Sequence, residues 1–241
     1  MNNQAKNIDV VILCGGLGKR FRQIRSDLPK ALAGIHQRTF LDILLEQIAH
    51  YGFKKAILCI GYKGQMIKDY YCGKTLPLEI IYSKETRPLG TGGALKNAKG
   101  MVNSKLFLVI NGDTLTSADL NSFVAFHIRK KAVMSMLLVR AKKSARLGNV
   151  KLNGQSQIIG FEEKINREIP GLVNAGMYLM VSGIFKLMPR RRSFSLEYDF
   201  FPRILDEKCY GFLSARRFID IGTPQGYREA ISQPHQWHLK R

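Results

Sequence analysis

Acidic residues are scarce in this chain. Its 241 residues include 18 Asp and Glu against 38 Lys and Arg, a formal net charge of +20. Such an excess favours contact with polyanions, including nucleic acids, phosphorylated substrates and membrane surfaces. The basic residues are scattered in short runs, however, such as 54–55 and 190–192, and no motif of a recognised nucleic-acid module accompanies them. We therefore expect no specific nucleic-acid partner and interpret most of the charge as solvated, with steering of phosphorylated substrates as the alternative.

Long apolar runs and paired cysteines are also missing. No stretch approaches the roughly 20 apolar residues of a membrane-spanning helix, and the first nine residues are polar, unlike a signal peptide. The four cysteines, Cys14, Cys59, Cys72 and Cys209, lack the paired spacing of a zinc site and do not form a small disulfide framework. We expect a cytoplasmic protein without a membrane span or zinc, whose reduced thiols are mostly buried.

Nothing divides the chain into modules. It contains no internal repeat, low-complexity segment or linker, and 45% of its residues are hydrophobic. That content suffices for the core of an ordinary globular protein, so we expect one domain over residues 1–241. Disorder is expected only in the tail, residues 232–241.

The apolar pattern switches repeatedly between strand and helix. Predicted strands cover 10–13, 56–60, 78–82, 106–110, 134–140, 172–180 and 218–221, with a hairpin over 150–163. Predicted helices cover 40–49, 65–71, 182–188 and 198–205, and a last one begins near Thr223; Thr39 caps the first and Gly52 ends it. This order predicts an α/β fold with a mixed, mostly parallel sheet, helices on both faces and a small β insertion. Ligands would lie outside the carboxyl ends of the strands.

The most informative segment is the loop after the first strand. Residues 10–20 read VVILCGGLGKR, in which a branched apolar run predicts a buried parallel strand. The glycines that follow let backbone N–H groups approach an anion. Arg20 and, further on, Lys30 add positive charge, which suits a nucleoside triphosphate and the charge that develops on a leaving pyrophosphate.

Two commoner glycine loops fit this segment poorly. A dinucleotide-binding fingerprint needs glycine where the chain has Phe21, and a P-loop needs Ser or Thr where it has Arg20. Both the oxidoreductase and the motor ATPase or kinase interpretations are therefore weakened. Taken alone, the loop also fits a tight strand-to-helix turn with solvated basic residues.

Five segments together resemble the sugar-1-phosphate nucleotidyltransferases, and they cover nearly the whole chain. They are GGLGKR at 15–20 with Pro29 and Lys30, PLGTGGA at 88–94, NGD at 111–113, FEEK at 161–164 with NAG at 174–176, and FIDIGTP at 218–224. Within that family, CGGLG at 14–18, SDLPK at 26–30 and SLEYDFFP at 195–202 are most similar to the D-glycero-D-manno-heptose 1-phosphate guanylyltransferases. The resemblance implies a Rossmann-like three-layer α/β/α fold. It also implies a nucleotide-binding half over 1–115 and a sugar-phosphate-binding half over 116–241.

The resemblance implies a magnesium-dependent transfer from a nucleoside triphosphate to a sugar 1-phosphate. Arg20, Lys30 and Asp113 would be catalytic, and Asp113 and Asp220 would hold Mg²⁺, which prefers a few carboxylate oxygens together with phosphate oxygens and waters. Two arrangements compete with metal binding by these carboxylates. Asp113 also fits a turn after Asn-Gly, and Asp220 a helix cap or a salt-bridged carboxylate.

The implied substrate contacts fall in two groups. The nucleotide side comprises Leu13, Gly15, Gly16, Gly18, Lys19, Arg20, Glu85, Pro88, Gly90 and Thr91. The sugar-phosphate side comprises Asn111, Gly148, Glu163, Lys164, Asn174 and Gly176. Lys19 departs from the family, where threonine is usual, so its role is open. A structural glycine turn at 90–93, an exposed strand end at 162–164 and a turn-forming Asn174 are the competing interpretations.

The resemblance implies GTP and D-glycero-D-manno-heptose 1-phosphate as substrates. Guanine also suits Glu85, whose carboxylate can accept hydrogen bonds from guanine N1–H and its exocyclic amine. The product would then supply surface-polysaccharide synthesis. Mannose 1-phosphate or glucose 1-phosphate with GTP, CTP or UTP are alternatives of the same class. A noncatalytic sugar-nucleotide-binding or nucleic-acid-binding protein is an alternative of another class. A homo-oligomer is compatible with the sequence.

Overall fold

The computed structural model describes residues 4–16, 18, 27–141, 148–162 and 170–232. Thirteen strands lie in these ranges: β1 (Asp9–Leu13), β2 (Gly34–Ile35), β3 (Arg38–Thr39), β4 (Lys55–Ile60), β5 (Glu79–Lys84), β6 (Leu106–Asn111), β7 (Thr114–Thr116), β8 (Met134–Ala141), β9 (Asn149–Leu152), β10 (Ile158–Glu162), β11 (Gly171–Val181), β12 (Cys209–Ser214) and β13 (Phe218–Asp220). The α-helices are α1 (Phe40–His50), α2 (Gly64–Tyr71), α3 (Gly90–Asn97), α4 (Leu120–Lys130) and α5 (Pro224–Ser232). None of the helices in these ranges is long and apolar enough to cross a membrane.

Nine of these strands form one mixed sheet. Its order runs β10, β9, β11, β6, β1, β4, β5, and β8 pairs with both β11 and β12. The pairs β1–β4, β1–β6, β4–β5 and β8–β12 are parallel, whereas β11 is antiparallel to β6, β8 and β9 and β10 is antiparallel to β9. Within the described sheet, β10 and β11 therefore run opposite to the other seven strands, which confirms the predicted mixed, mostly parallel sheet.

Helices cover both faces of this sheet. Alternate residues of β1 enter two separate hydrophobic clusters, Val10 and Ile12 in one and Val11 in the other. The first cluster includes most of the buried face of α1, with Phe40 fully buried, and the second includes Leu95 of α3. Burial on both faces explains why β1 is a continuous apolar run and not an alternating one.

Most predicted elements are confirmed, with specific differences. The helix at 40–50 begins at Thr39, whose side chain and that of Asp42 form a capping box, and the chain leaves it through Gly52 at φ +91°. The hairpin is present as β9 and β10, which are antiparallel. The predicted helices at 182–188 and 198–205 are shorter: 3-10 turns at Ser182–Lys186 and Phe201–Arg203, and a π-helix at Leu196–Phe200.

Several features differ from the predicted pattern. The turn at 88–94 continues into α3, and neither α4 nor β12 is predicted from the sequence. The strand at 218–220 pairs with β7 in a separate two-stranded sheet. Residue 232 of the predicted disordered tail ends α5, and 233–241 lie outside the described residues. All four cysteines are free and only Cys72 is exposed, as expected.

Candidate active site

A cavity of about 430 Å³ opens at the carboxyl ends of β1 and β6, where the fold class predicts ligand binding. Among its lining residues are all the predicted nucleotide-side residues that the structure describes: Leu13, Gly15, Gly16, Gly18, Glu85, Pro88, Gly90 and Thr91. Lys30, Asn111 and Asp113 line it too. The predicted residues Lys19 and Arg20 lie outside the described residues. The sequence therefore predicts a set of positions that the fold brings around one space.

Asp113 and Asp220 are brought together by the small sheet of β7 and β13. Asp220 pairs with Thr114, the neighbour of Asp113, and the Ile221 N–H donates to the Asp113 carbonyl oxygen over 2.9 Å. The Gly222 N–H donates to Asp220 Oδ1 over 2.6 Å. This pairing places the two carboxylates side by side although they are far apart in the sequence.

Gly222 shows how closely the charged groups converge. A Cβ added at this glycine would lie 2.7 Å from Asp220 Oδ1, 3.0 Å from Lys30 Nζ and 3.2 Å from Asp113 Oδ2. Lys30 Nζ also forms an ion pair with Asp113 Oδ2. A cation and two carboxylates thus surround one point, and that point is open only because residue 222 has no side chain.

The donor set of this cluster fits a divalent cation such as Mg²⁺. In the described part of the chain, no group of three or more His, Cys, Asp and Glu side chains comes together as a metal site. Two carboxylates leave the remaining coordination positions to waters and phosphate oxygens, which is the arrangement that Mg²⁺ commonly adopts beside phosphorylated substrates. Asp113 and Asp220 are the residues that would hold it.

Glu85 lies at the carboxyl end of β5, beside the glycine loop. The Leu89 N–H donates to its Oε2 over 3.1 Å, and Gly15 approaches so closely that a side chain there would collide with the Glu85 carboxylate. Burial raises the pKa of Glu85, and the Leu89 N–H offsets part of this rise. The site therefore holds a carboxylate with reduced solvation, which is suited to accept hydrogen bonds from a ligand.

The glycine turn that ends in α3 serves packing as well as the cavity. Gly92 and Gly93 face Phe194 and the Arg192 carbonyl, where a Cβ would collide. The Thr91 hydroxyl lies between Glu197 and the Leu196 N–H and bonds both. The motif at 195–202 is part of the resemblance, but its role is not predictable from the sequence, because only the fold shows that this segment contacts the turn.

The sugar-side residues form a connected group beyond β6. Gly176 has φ +71°, and a Cβ on it would lie 2.7 Å from Thr114 Oγ1 and 3.0 Å from Asn111 Nδ2. Asn174 accepts from the Gly176 N–H over 2.9 Å, and its own N–H donates to the Gly148 carbonyl. The four described residues, Asn111, Gly148, Asn174 and Gly176, therefore lie together, whereas Glu163 and Lys164 lie outside the described residues.

The side-chain amides of Asn111 and Asn174 differ in whether their polar atoms have hydrogen-bond partners. The Asn174 amide is committed on both atoms, since its Nδ2 also donates to the Tyr178 hydroxyl over 2.7 Å. Asn111 Oδ1 is buried and has no hydrogen-bond partner among the described residues. A buried acceptor without a donor is costly, so Asn111 is the amide of this group that is poised to accept from a ligand hydroxyl.

Comparison with known proteins gives a consistent family. Residues 9–236 match the family model described as nucleotidyl transferase. The chain is 39% identical, over 92% of its length and 96% of the relative's, to D-glycero-alpha-D-manno-heptose 1-phosphate guanylyltransferase of Aneurinibacillus thermoaerophilus. It is 33% identical to mannose-1-phosphate guanylyltransferase of Mycobacterium tuberculosis, over 91% of the chain but 62% of that relative.

The solved structures agree with the sequence relatives. HddC from Yersinia pseudotuberculosis complexed with GMP-PN superposes with a TM-score of 0.84 at 32% identity, covering 94% of this chain and 99% of that one. A putative glucose-1-phosphate thymidylyltransferase from Bacillus anthracis has a TM-score of 0.80 at 20% identity and thus shares the fold. These matches confirm the predicted Rossmann-like α/β fold.

Proposed function

The chain belongs to the nucleotidyl transferase family and is an enzyme of it, and from this premise we propose that it transfers a guanylyl group from GTP to D-glycero-D-manno-heptose 1-phosphate. The observation that carries the choice of substrate is the 39% identity to a heptose 1-phosphate guanylyltransferase across almost the full length of both chains. The structural likeness to HddC, solved with GMP-PN, supports a guanine nucleotide.

In the proposed reaction an oxygen of the sugar 1-phosphate attacks the α-phosphorus of GTP. A new phosphorus–oxygen bond forms, the bond to the β-phosphate oxygen breaks, and pyrophosphate leaves with the electron pair. The attacking phosphate is already ionised, so no general base is needed, and the main obstacle is repulsion between two polyanions. Lys30, which lines the cavity, would neutralise charge at the reacting phosphates, with Arg20 on the leaving side.

Asp113 and Asp220 would hold Mg²⁺ in this proposal. The bound ion would supply charge neutralisation at the phosphate oxygens. Lys30 forms an ion pair with Asp113, and we propose that it exchanges part of this contact for phosphate oxygens when GTP enters. The Asp113 carboxylate thereby keeps the lysine oriented toward the cavity.

We propose that Glu85 reads guanine and that Asn111 contacts the sugar. Glu85 is half-buried in the cavity wall, and its carboxylate would accept from N1–H and the exocyclic amine, a pair of donors that uracil cannot reproduce. Asn111 offers a buried unsatisfied acceptor. Gly148, Asn174 and Gly176 would shape the sugar pocket, and Glu163 and Lys164 would complete it. The glycine loop, with Leu13, Gly15, Gly16, Gly18 and Lys19, would cradle the phosphates.

We further propose that the enzyme acts in the cytoplasm, where GTP is available, and that its product supplies surface-polysaccharide synthesis. The direct test is pyrophosphate release with each of GTP, UTP, CTP and ATP, combined with heptose, mannose and glucose 1-phosphates, with and without Mg²⁺. We expect the highest kcat/KM with GTP and the heptose substrate and no release without a divalent ion. Absence of turnover in every combination would contradict an enzymatic function.

Mannose 1-phosphate is the second candidate substrate, because the chain is 33% identical to the Mycobacterium tuberculosis mannose-1-phosphate guanylyltransferase. Both candidates use GTP, so the same assay distinguishes them through the sugar. A kcat/KM for mannose 1-phosphate equal to or above that for the heptose substrate would favour this alternative.

A further inference from the structure

The segment around Phe194 packs against the turn at 88–91, which lines the cavity on the side proposed to hold the base. The N–H groups of Gly92 and Gly93 both donate to the Phe194 carbonyl, over 3.0 and 3.1 Å, and the Phe194 N–H donates to the Leu89 carbonyl over 3.0 Å. Gly90 has φ +72°, and a Cβ there would lie 2.6 Å from the Phe194 oxygen. The turn thus fits against this segment only with glycine at these places.

Glu197 is the charged centre of the contact. Its Oε2 accepts from the hydroxyls of Thr91, over 2.6 Å, and Ser195, over 2.7 Å. The Thr91 oxygen in turn accepts from the Leu196 N–H over 2.8 Å. Hydrogen bonds to an ionised acceptor are shorter and stronger than neutral ones, so this pair of hydroxyl contacts resists opening of the turn.

The local backbone supports the same arrangement. Ser195 caps the π-helix at Leu196–Phe200, accepting from the N–H groups of Glu197 and Tyr198. Its own N–H donates to Asp199 Oδ2 over 2.8 Å. π-helical turns are rare and are frequently found at functional sites. Here the π turn directs Glu197 back onto Thr91.

We propose that Glu197 is a positioning residue for nucleoside triphosphate binding. Its carboxylate holds Thr91 and thereby fixes the turn at 88–91, which lines the cavity and includes the Leu89 N–H that orients Glu85. The Thr91 hydroxyl donates to Glu197 and accepts from the Leu196 N–H. Because both bonds are within the protein, Thr91 contributes to nucleotide binding by holding the turn in place. The inference rests on the proposed function in placing the nucleotide in this cavity.

The test compares Glu197→Ala with Glu197→Gln. The alanine variant frees the turn, so we expect KM for GTP to rise about tenfold, with KM for the sugar 1-phosphate and kcat within about twofold of wild type. The glutamine variant retains an oxygen that accepts both hydroxyl bonds and should recover most of the GTP affinity. The exposed Glu207, changed to Ala, is the matched control and should leave both KM values unchanged.

Thr91 supplies a second route that does not depend on the folding of a Glu197 variant. Thr91→Val keeps the shape but removes the hydroxyl and should raise KM for GTP similarly, whereas Thr91→Ser should not. The double variant Thr91→Val with Glu197→Ala should lose less GTP affinity than the sum of the two single losses, since either change alone already removes the Thr91–Glu197 contact. Strictly additive losses would overturn the inference.

Two further results would overturn it. An unchanged KM for GTP in Glu197→Ala would show that the contact does not position the turn. Equal rises in both KM values together with a lower kcat would indicate a general structural role. Equilibrium binding of a fluorescently labelled GTP analogue to the same variants separates this inference from the proposed reaction. Loss of GTP affinity in Glu197→Ala supports the positioning role even if wild type turns over a different sugar.

Discussion

Asp220 stands opposite Thr114 in the antiparallel pair of β13 and β7, and this register places its carboxylate beside that of Asp113. The contact depends on the main chain as well, because the Ile221 N–H donates to the Asp113 carbonyl. Two acidic residues that are far apart in the sequence are therefore held at one point by a ladder of only a few residues.

Asp113→Asn should abolish most turnover while leaving the fold intact. The amide keeps the shape of the side chain but removes the negative charge that pairs with Lys30 and would hold Mg²⁺. We expect kcat to fall by about 10² or more, the loss typical of removing one preorganised electrostatic contact to a transition state. The measurement is pyrophosphate release over a Mg²⁺ titration, with circular dichroism to verify folding.

The matched control for this variant is Asp206→Asn, a change of the same kind at an exposed turn position. It should retain wild-type kcat and the wild-type Mg²⁺ requirement. Full activity of Asp113→Asn at the same Mg²⁺ concentration would contradict the role proposed for Asp113.

Gly222→Ala should impair catalysis although it adds only one methyl group. The new Cβ would lie within 3.2 Å of Asp220 Oδ1, Lys30 Nζ and Asp113 Oδ2, so these groups must separate. We expect kcat to fall by about tenfold or more, since small displacements of reacting groups are costly. Gly183→Ala is the control, because an added Cβ there meets nothing within 4 Å. Equal activity of the two variants would show that the cluster tolerates expansion.

Much of the site follows from the sequence, because its parts are local motifs at strand ends. The glycine loop after β1 and the NGD segment after β6 lie at one edge because β1 and β6 are adjacent and parallel. The carboxyl ends of such strands meet whatever the rest of the fold does. Lys30, Glu85 and the turn at 88–91 were likewise predicted, and all line the same cavity.

Long-range packing is what the sequence could not supply. The hydrogen bond from Thr91 to Glu197 joins residues from separate elements, and no local periodicity indicates it. The helix α3 begins in a glycine-rich turn with weak intrinsic helix propensity, so its formation reflects contacts with Phe194 and not local preference. Strand β13 has an ordinary strand pattern, but its partner, β7, is decided by tertiary structure.

Thr39→Ala should lower stability without altering catalysis. The Thr39 hydroxyl accepts from the Asp42 N–H over 3.1 Å, and Asp42 Oδ2 accepts from the Thr39 N–H over 2.8 Å, which closes the capping box of α1. Loss of an N-cap side chain costs about 1 kcal/mol, so the free energy of unfolding in urea should fall by that amount. Thr39→Ser retains the hydroxyl and should stay close to wild type. A fall as large in Thr39→Ser would assign the effect to packing of the methyl group.

Glu85 should make stability and nucleotide affinity change in opposite directions with pH. Burial raises its pKa above the ordinary value of 4.5, so the folded state retains a proton that the unfolded state has released. In the interval between 4.5 and the raised pKa the folded state binds more protons, and its stability relative to the unfolded state therefore falls as pH rises. Glu85→Gln cannot ionise, and we expect its free energy of unfolding to exceed that of wild type above this interval.

Affinity for GTP should follow the ionised form instead, because only the carboxylate accepts from both guanine donors. As pH falls through the raised pKa, the dissociation constant for GTP should increase, and it should do so at a higher pH than for an ordinary glutamate. Glu85→Gln should bind GTP more weakly at neutral pH and lack this inflection. Equilibrium titrations of both proteins across the acidic range test the assignment. An identical pH profile for wild type and Glu85→Gln would exclude Glu85 from base recognition, since no other change separates the two proteins.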